Sequence, residues 1–309
     1  MALRDNWGRP LLNLRVAITK RCNLRCEYCH MEGEDKRGGN SPNEMSVDEI
    51  ARIVRIAVTL GVSRVKLTGG EPLMREDTTD IVKGISALPG LSDLSMTTNG
   101  TMLASLAEEL RASGLKRVNV TLPTLNEGLY ERLTGGKVRP VVDGVRTAVR
   151  AGLSPVKLNM LVLKDLNDND VPALIAFARE TGAVLQLIEL EPLNITDAYY
   201  AKHHKPLDKF ENALKQMAVD VETRQYMQNR RIYHLPDVRV EIIHPTENAE
   251  FCMHCTRLRV TSDGKLKPCL MTNNDLIDVL TPMRKGASDK DLTELFRQAN
   301  LARQPYNWN

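Results

Sequence analysis

Cys22-Asn23-Leu24-Arg25-Cys26-Glu27-Tyr28-Cys29 follows directly on an apolar stretch, 14–18, that reads as a first strand. A loop at the carboxyl end of a strand is where parallel α/β folds carry their chemistry. The chain has six cysteines in 309 residues, and the other three, Cys252, Cys255 and Cys269, form C-x2-C-x13-C near the C-terminus. Three thiolates are one short of the closed set of a structural zinc or a four-iron cluster. Each triad therefore leaves one metal position open to a small molecule, and two such sites suggest an enzyme. The competing readings are a structural metal knot completed by His30 and a zinc ribbon completed by His254. Both histidines adjoin cysteines, where joint coordination is cramped.

Outward from the first triad, candidate strands lie at 14–18, 64–68, 94–97, 117–122, 156–163 and 184–191. Helical patterns at 46–60, 78–87, 103–113, 141–151 and 171–181 separate them. Ser46 with Glu49 makes a capping box, and Gly61, Gly114, Gly152 and Gly182 follow helix ends. Six βα units in a row imply a parallel sheet with right-handed crossovers, open and doubly wound or curled into a barrel. Six units are too few for a closed eight-stranded barrel, so a barrel here would be a partial (β/α)6 one, and the open doubly wound sheet stands beside it.

Strand parity adds independent evidence. Arg15, Ala17 and Thr19 share one face of the first strand; Lys66 and Thr68, Asn119 and Thr121, and Lys157 and Asn159 pair off in the same way. Strands buried on both faces read as nearly continuous apolar runs. Polar residues at alternate positions on four strands point to an inner face lining a wet, partly cationic cavity. The competing reading leaves them at strand ends, in solvent.

After Glu191 the pattern breaks. A polar and aromatic connector, 192–206, leads to a helix at 207–218, strand-like segments at 219–226, 230–235 and 238–243, the second triad, and a closing helix at 289–301. The expected division is an α/β domain at 1–191 and a smaller α+β domain at 192–309. The loop 30–45, with Gly33, Gly38 and Gly39, is long enough to be functional or mobile. No run of 18 apolar residues occurs, so a membrane span is not expected. The start lacks the apolar core of a signal peptide, so a cytoplasmic protein with reduced thiols is expected. A net charge of +3 gives no sign of a nucleic-acid partner.

C-x3-C-x-aromatic-C after a first strand resembles the radical S-adenosylmethionine (SAM) superfamily. Thr68-Gly69-Gly70-Glu71-Pro72 after the second strand is a further match. The resemblance implies a TIM-like partial (β/α)6 barrel and a [4Fe–4S] cluster on Cys22, Cys26 and Cys29 whose fourth iron is chelated by SAM. It also implies SAM contacts at Tyr28, Gly69, Gly70, Glu71 and Thr121, the two glycines letting backbone approach the ligand.

The second string, Cys252-Met253-His254-Cys255-Thr256-Arg257-Leu258-Arg259 through Thr261-Ser262-Asp263-Gly264-Lys265 to Cys269, is similar to the GTP 3′,8-cyclase family of molybdenum cofactor biosynthesis. That resemblance spans Arg15 to Cys269. It implies a second [4Fe–4S] cluster on Cys252, Cys255 and Cys269, whose open iron binds the guanine of GTP. Nucleotide contacts then fall on Arg15, Lys66, Thr97, Lys157, Arg257, Leu258 and Arg259, with Arg257 and Arg259 also assisting catalysis. The implied reaction is reductive cleavage of SAM, abstraction of the 3′ hydrogen of GTP and closure of C3′ onto C8. An electron donor, a downstream cyclic pyranopterin monophosphate synthase that receives the product, and a monomer or homodimer complete the expectation.

Several positions depart from the family pattern. Lys66 stands where arginine is common, Thr121 where serine is, and Pro123 where a nearby Asp is usual. Glu191 takes the place of a methionine that meets SAM, and the chain ends Pro305-Tyr306-Asn307-Trp308-Asn309 where many relatives end Gly-Gly. The rival functions are a radical SAM peptide-maturing enzyme, which needs a peptide-docking module, and an iron–sulfur electron carrier or zinc-stabilised binding protein.

Overall fold

A computed structural model of the chain describes residues 2–34 and 44–305. Gly38, Gly39 and residues 306–309 lie outside the described residues.

Six parallel strands form the centre: β1 Asn13–Ala17, β2 Arg64–Thr68, β3 Asp93–Thr98, β4 Arg117–Thr121, β5 Lys157–Val162 and β6 Val184–Glu189. The helices between them are α1 Val47–Thr59, α2 Thr78–Ser86, α3 Leu103–Ala112, α4 Glu127–Thr134, α5 Val138–Arg150 and α6 Val171–Thr181. The capping box that opens α1 is formed as read: Ser46 N donates to Glu49 Oε2 at 2.8 Å and Glu49 N to Ser46 Oγ at 3.2 Å. Ile50, Ile53, Val54 and Ala57 recur at helical spacing on its buried face.

Strand parity divides the sheet into two surfaces. Leu14, Val16, Val65, Leu67, Leu94, Met96, Val118, Val120, Leu158 and Met160 face the helices and belong to one continuous apolar core. The alternate positions face a common cavity, and the register aligns them in rows: Arg15 beside Lys66 and Ser95, Asn119 beside Lys157. A period of two makes this division automatic once the helices cover one face.

The C-terminal part does not build a sheet of its own. After α7 Asp197–His203 and α8 Asp208–Met217, the strands β7 Asp220–Arg224, β8 Arg230–His234 and β9 Arg239–Ile243 add to one edge, with β9 parallel to β6. Beyond α9 Ala249–Met253, the strands β10 Arg257–Val260, β11 Lys265–Lys267 and β12 Ile277–Asp278 add to the other edge, with β10 parallel to β1. The result is one open twelve-stranded sheet with β12 and β7 at its edges. The short α10 Leu280–Arg284 and the closing α11 Asp289–Leu301 complete the chain. A partial barrel of parallel strands agrees with the expected fold class, but the smaller α+β part extends the barrel sheet on both sides. Neither α4 nor α7 is foreseen in the sequence reading; both are short and carry few apolar residues. No helix among the described residues is long and apolar enough to cross a membrane.

Candidate active site

The loop from β1 carries Cys22, Cys26 and Cys29, and α4 holds it in place. Arg25 N donates to the Thr134 carbonyl at 2.8 Å and Glu27 N to the Leu133 carbonyl at 3.1 Å. The last carbonyls of α4, which have no partner within the helix, are thus capped by the cysteine loop. Tyr28 packs with Leu133, Leu163 and Leu190 in a small apolar cluster beneath it. Burial, and then Cys26, push the Tyr28 hydroxyl well above the usual tyrosine value. Leu24 N and Asn99 Nδ2 both point at Cys22 Sγ, at 3.4 and 3.9 Å.

The turn after β2 lies against the start of that loop. Gly70 N donates to the Thr19 carbonyl at 2.8 Å and Glu71 N to the Arg21 carbonyl at 2.7 Å. A Cβ on Gly69, whose φ is +141°, would stand 2.2 Å from the Thr19 carbonyl oxygen, and one on Gly70 2.2 Å from that of Arg21. Both glycines are required because two stretches of backbone touch here. Glu71 is fully buried and turned away from the cavity; its carboxylate accepts from Leu73 N at 3.0 Å, Thr98 Oγ1 at 2.7 Å and Asn99 N at 2.6 Å. It ties the ends of β2 and β3 together, so its side chain braces the glycine turn from behind.

Both triads line one cavity of about 330 Å³. Between them lie Arg15, Lys66, Thr97, Asn119, Thr121, Lys157 and Asn159 from the strands, with Arg257 and Arg259 from β10. Among the described residues, eleven arginines and lysines line it against three acidic side chains, so an anion is the ligand this wall suits. Lys66 Nζ donates to Asn119 Oδ1 at 2.7 Å. Burial holds its ammonium well below the usual lysine value, and Arg117, Arg15, Lys157 and Arg257 add to that. Burial also lowers Arg257, with Arg230 and Arg15 acting in the same direction. Thr97 Oγ1 is buried against the cavity with no hydrogen-bond partner. The Leu258 side chain lies on the opposite face of β10, fully buried in the apolar core, which leaves its backbone as the part that can meet a nucleotide.

Two buried carboxylates escaped the sequence reading. Glu32, three residues past Cys29, accepts from Thr68 Oγ1 at 2.8 Å and from Arg259 Nη1 at 2.6 Å, with Arg15 Nη1 at 3.6 Å. Burial pushes its carboxyl up, but Arg15 and Arg259 outweigh burial and hold it below the usual carboxylate range. Met31 and Glu32 both have positive φ, 48° and 52°, a strain of the kind found where a site is pre-organised. Glu241 on β9 accepts from Lys157 Nζ at 2.6 Å and lies 3.3 Å from Arg224 and 3.8 Å from Arg230. No local motif marks either residue, because each is defined by partners far away in the chain.

The second triad lies at the end of α9 and at the turns flanking β10 and β11, on the wall of the same cavity. Burial pushes the Cys255 thiol up, but Arg303, Arg257 and Arg9 outweigh it and bring it below the ordinary value. None of the six cysteines is in a disulfide. Among the described residues no group of three or more His, Cys, Asp and Glu side chains is gathered around a single-ion position. The donor chemistry fits a cluster at each end: three soft sulfur ligands facing a shared cavity, with amide or guanidinium groups beside them.

Residues 16–178 match the model of the Radical SAM superfamily, and residues 183–308 match that of Molybdenum Cofactor Synthesis C. A relative from Thermococcus kodakarensis described as a probable GTP 3′,8-cyclase is 48% identical over 98% of this chain and 99% of its own length. One of the same description from Methanocaldococcus jannaschii is 42% identical, covering 98% and 99%. Among solved structures, Streptococcus suis SuiB bound to S-adenosylmethionine superposes with a TM-score of 0.68 at 19% identity. That match covers 94% of this chain, which spans only 66% of the other. The anSMEcpe structure with bound AdoMet gives 0.64 at 16% identity, covering 96% and 84%. At such identities the likeness to both structures is one of fold.

Proposed function

The chain belongs to the GTP 3′,8-cyclase family of the radical SAM superfamily, and on that footing we propose that its cavity holds SAM at the N-terminal triad and GTP at the C-terminal one. It is an enzyme, a lyase that converts GTP to (8S)-3′,8-cyclo-7,8-dihydroguanosine 5′-triphosphate in the first step of molybdenum cofactor biosynthesis. The observation that carries the assignment of sites is that both triads line one cavity whose intervening wall is cationic.

Its cofactors are two [4Fe–4S] clusters, held by Cys22, Cys26 and Cys29 and by Cys252, Cys255 and Cys269, with SAM as cosubstrate. When bound, the first cluster and SAM supply a one-electron, hydrogen-abstracting chemistry that no side chain provides. The chain's own residues do the positioning. Tyr28, Gly69, Gly70 and Thr121 line the SAM end, while Glu71 holds the glycine turn from behind. Arg15, Lys66, Lys157, Arg257 and Arg259 neutralise the triphosphate, the arginine forks matching phosphate oxygens. Thr97 Oγ1 offers the nucleotide a hydrogen bond that the folded chain leaves unused. Arg257 and Arg259, from β10 next to the second triad, also assist catalysis after ring closure. Confinement in one cavity keeps the two reactants together and limits quenching by water.

The chain divides at Glu191: residues 1–191 carry the first triad, the SAM end and the strand cations Arg15, Lys66 and Lys157, and 192–309 supply the second triad and β10. A cytoplasmic setting suits six cysteines without a disulfide. A one-electron reductant, transfer of the product to a cyclic pyranopterin monophosphate synthase, and a monomer or homodimer belong to the same proposal. A peptide substrate is less well matched to so cationic a wall.

The test is anaerobic reconstitution with iron, sulfide, reductant and SAM, with and without GTP. Formation of 5′-deoxyadenosine coupled to GTP consumption is expected. Cleavage of SAM that ignores GTP would defeat the assignment.

A further inference from the structure

The segment before β1 and the chain beyond α11 meet at the second triad. Asp5 has a fully buried side chain, and its carboxylate accepts from Trp7 N at 3.0 Å, Arg9 N at 2.9 Å and Arg9 Nε at 2.7 Å. Arg303 Nη1 stands 3.5 Å from the same carboxylate and donates to Asn300 Oδ1 at 2.9 Å. From this anchor each guanidinium reaches the triad's backbone: Arg9 Nη1 donates to the Cys252 carbonyl at 2.8 Å, and Arg303 Nη2 to the Cys255 carbonyl. Asn13 Nδ2, donating to Thr256 Oγ1 at 2.6 Å, closes the same seam.

The charges here do not balance. Arg9 and Arg303 are 5% and 1% exposed, and among the described residues Asp5 is the one carboxylate paired with either. A buried charge without a counter-charge is costly, and removing one partner from a closed structural pair leaves that cost exposed. Two guanidinium groups sharing one carboxylate hold a surplus positive charge out of water beside three cysteines. Arg9 Nη2, also buried, has no hydrogen-bond partner. Both arginines line the cavity, so the surplus faces the triad's side of it.

We propose that Asp5, Arg9 and Arg303 form a charge clamp that positions Cys252 and Cys255 and sets how readily the cluster they hold takes up an electron. The clamp rests on the assignment of a [4Fe–4S] cluster to the second triad. A reduced cluster carries one more negative charge than an oxidised one, so the two guanidinium groups favour the reduced form and Asp5 opposes them. Net charge, hydrogen bonding and exclusion of water are the levers by which a protein tunes such a potential. These three are positioning residues: they act through the cysteine backbone and the local field.

The experiment is an anaerobic redox titration of the reconstituted holoenzyme followed by electron paramagnetic resonance. Addition of SAM and of GTP in turn assigns the two signals. Arg303→Gln is expected to move the midpoint of the GTP-responsive signal to more negative potential, and Asp5→Asn to move it to more positive potential. The SAM-responsive signal stays in place in both. Arg303→Lys, which keeps the charge, stays closer to wild type than Arg303→Gln. Where Arg303→Gln does not fold, Arg9→Gln carries the same sign and takes its place. Opposite shifts are the signature, because a merely structural clamp would respond alike to loss of any member. Shifts of one sign, no shift, or equal movement of both signals overturns the clamp. A wild-type enzyme with no GTP-responsive signal overturns the cluster assignment beneath it, which is a separate failure.

Discussion

The two triads reach the same cavity by different routes. Cys22, Cys26 and Cys29 lie within eight residues of one another on a single loop, shaped by α4 and by the turn at Gly69-Gly70. Cys252, Cys255 and Cys269 are spread over α9 and two turns, and their geometry depends on β10 pairing with β1 and on side chains from both ends of the described chain. A compact motif carries most of its own geometry. A dispersed one borrows it from tertiary structure, so its second layer of partners carries more of the burden.

The largest expected effects separate the two sites. Cys26→Ala should reduce 5′-deoxyadenosine formation to background with or without GTP. Cys269→Ala should abolish cyclic product while SAM cleavage continues. Chromatography of both products under reducing, anaerobic conditions decides the matter, and full-rate cyclisation by Cys269→Ala would break the division of labour.

Next come substitutions that probe packing at each site. Leu258→Ala should cost about 2–5 kcal/mol by emptying a core position, with GTP affinity of the folded protein little changed. Gly70→Ala should cost about 1–3 kcal/mol, because backbone must shift to admit the methyl group, and should weaken SAM binding as well. Denaturant unfolding with ligand-binding isotherms measures both. A selective loss of GTP affinity in Leu258→Ala would place that side chain at the site.

A smaller effect concerns pH. The Lys66 ammonium is lowered by burial and by the cations around it. A bound polyanion raises it again, so GTP binding takes up a proton and affinity falls as pH rises between the lowered and restored values. The unfolded chain, at the ordinary lysine value, holds more protons over that range, so the unliganded protein gains stability as pH rises from the lowered value toward the ordinary one. Calorimetric titration in buffers of different ionisation enthalpy should show the uptake, and Lys66→Arg should remove it. Equal uptake in the variant would place the proton elsewhere. As a baseline remote from both triads, Arg146→Ala breaks an exposed 2.8 Å pair with Glu180. It should change stability by no more than about 0.5 kcal/mol in thermal or chemical unfolding.

Much of the fold was legible because it rests on local periodicity. The six central strands, most of the helices between them and the inward parity of Arg15, Lys66, Asn119 and Lys157 all follow from patterns within single elements. α4 escaped because its apolar face is only Leu129, Tyr130 and Leu133, and its partner is the cysteine loop itself. Glu71 and Leu258 were placed at the site by their motifs, whereas the structure turns both side chains away. Adjacent residues in a strand face opposite sides, so Leu258 could not share a wall with Arg257 and Arg259.

By itself, the sequence determined the parallel α/β plan, the two sets of sulfur ligands and the cationic face between them, because each depends on spacing along the chain. Tertiary structure alone decided that β7 to β12 extend the barrel sheet at both edges, that Glu32 and Glu241 sit buried among cations, and that Asp5, Arg9 and Arg303 meet behind the second triad. Those features join residues up to 298 positions apart, Asp5 to Arg303. Their pairing is fixed by which surfaces the core brings together, and no local pattern records it.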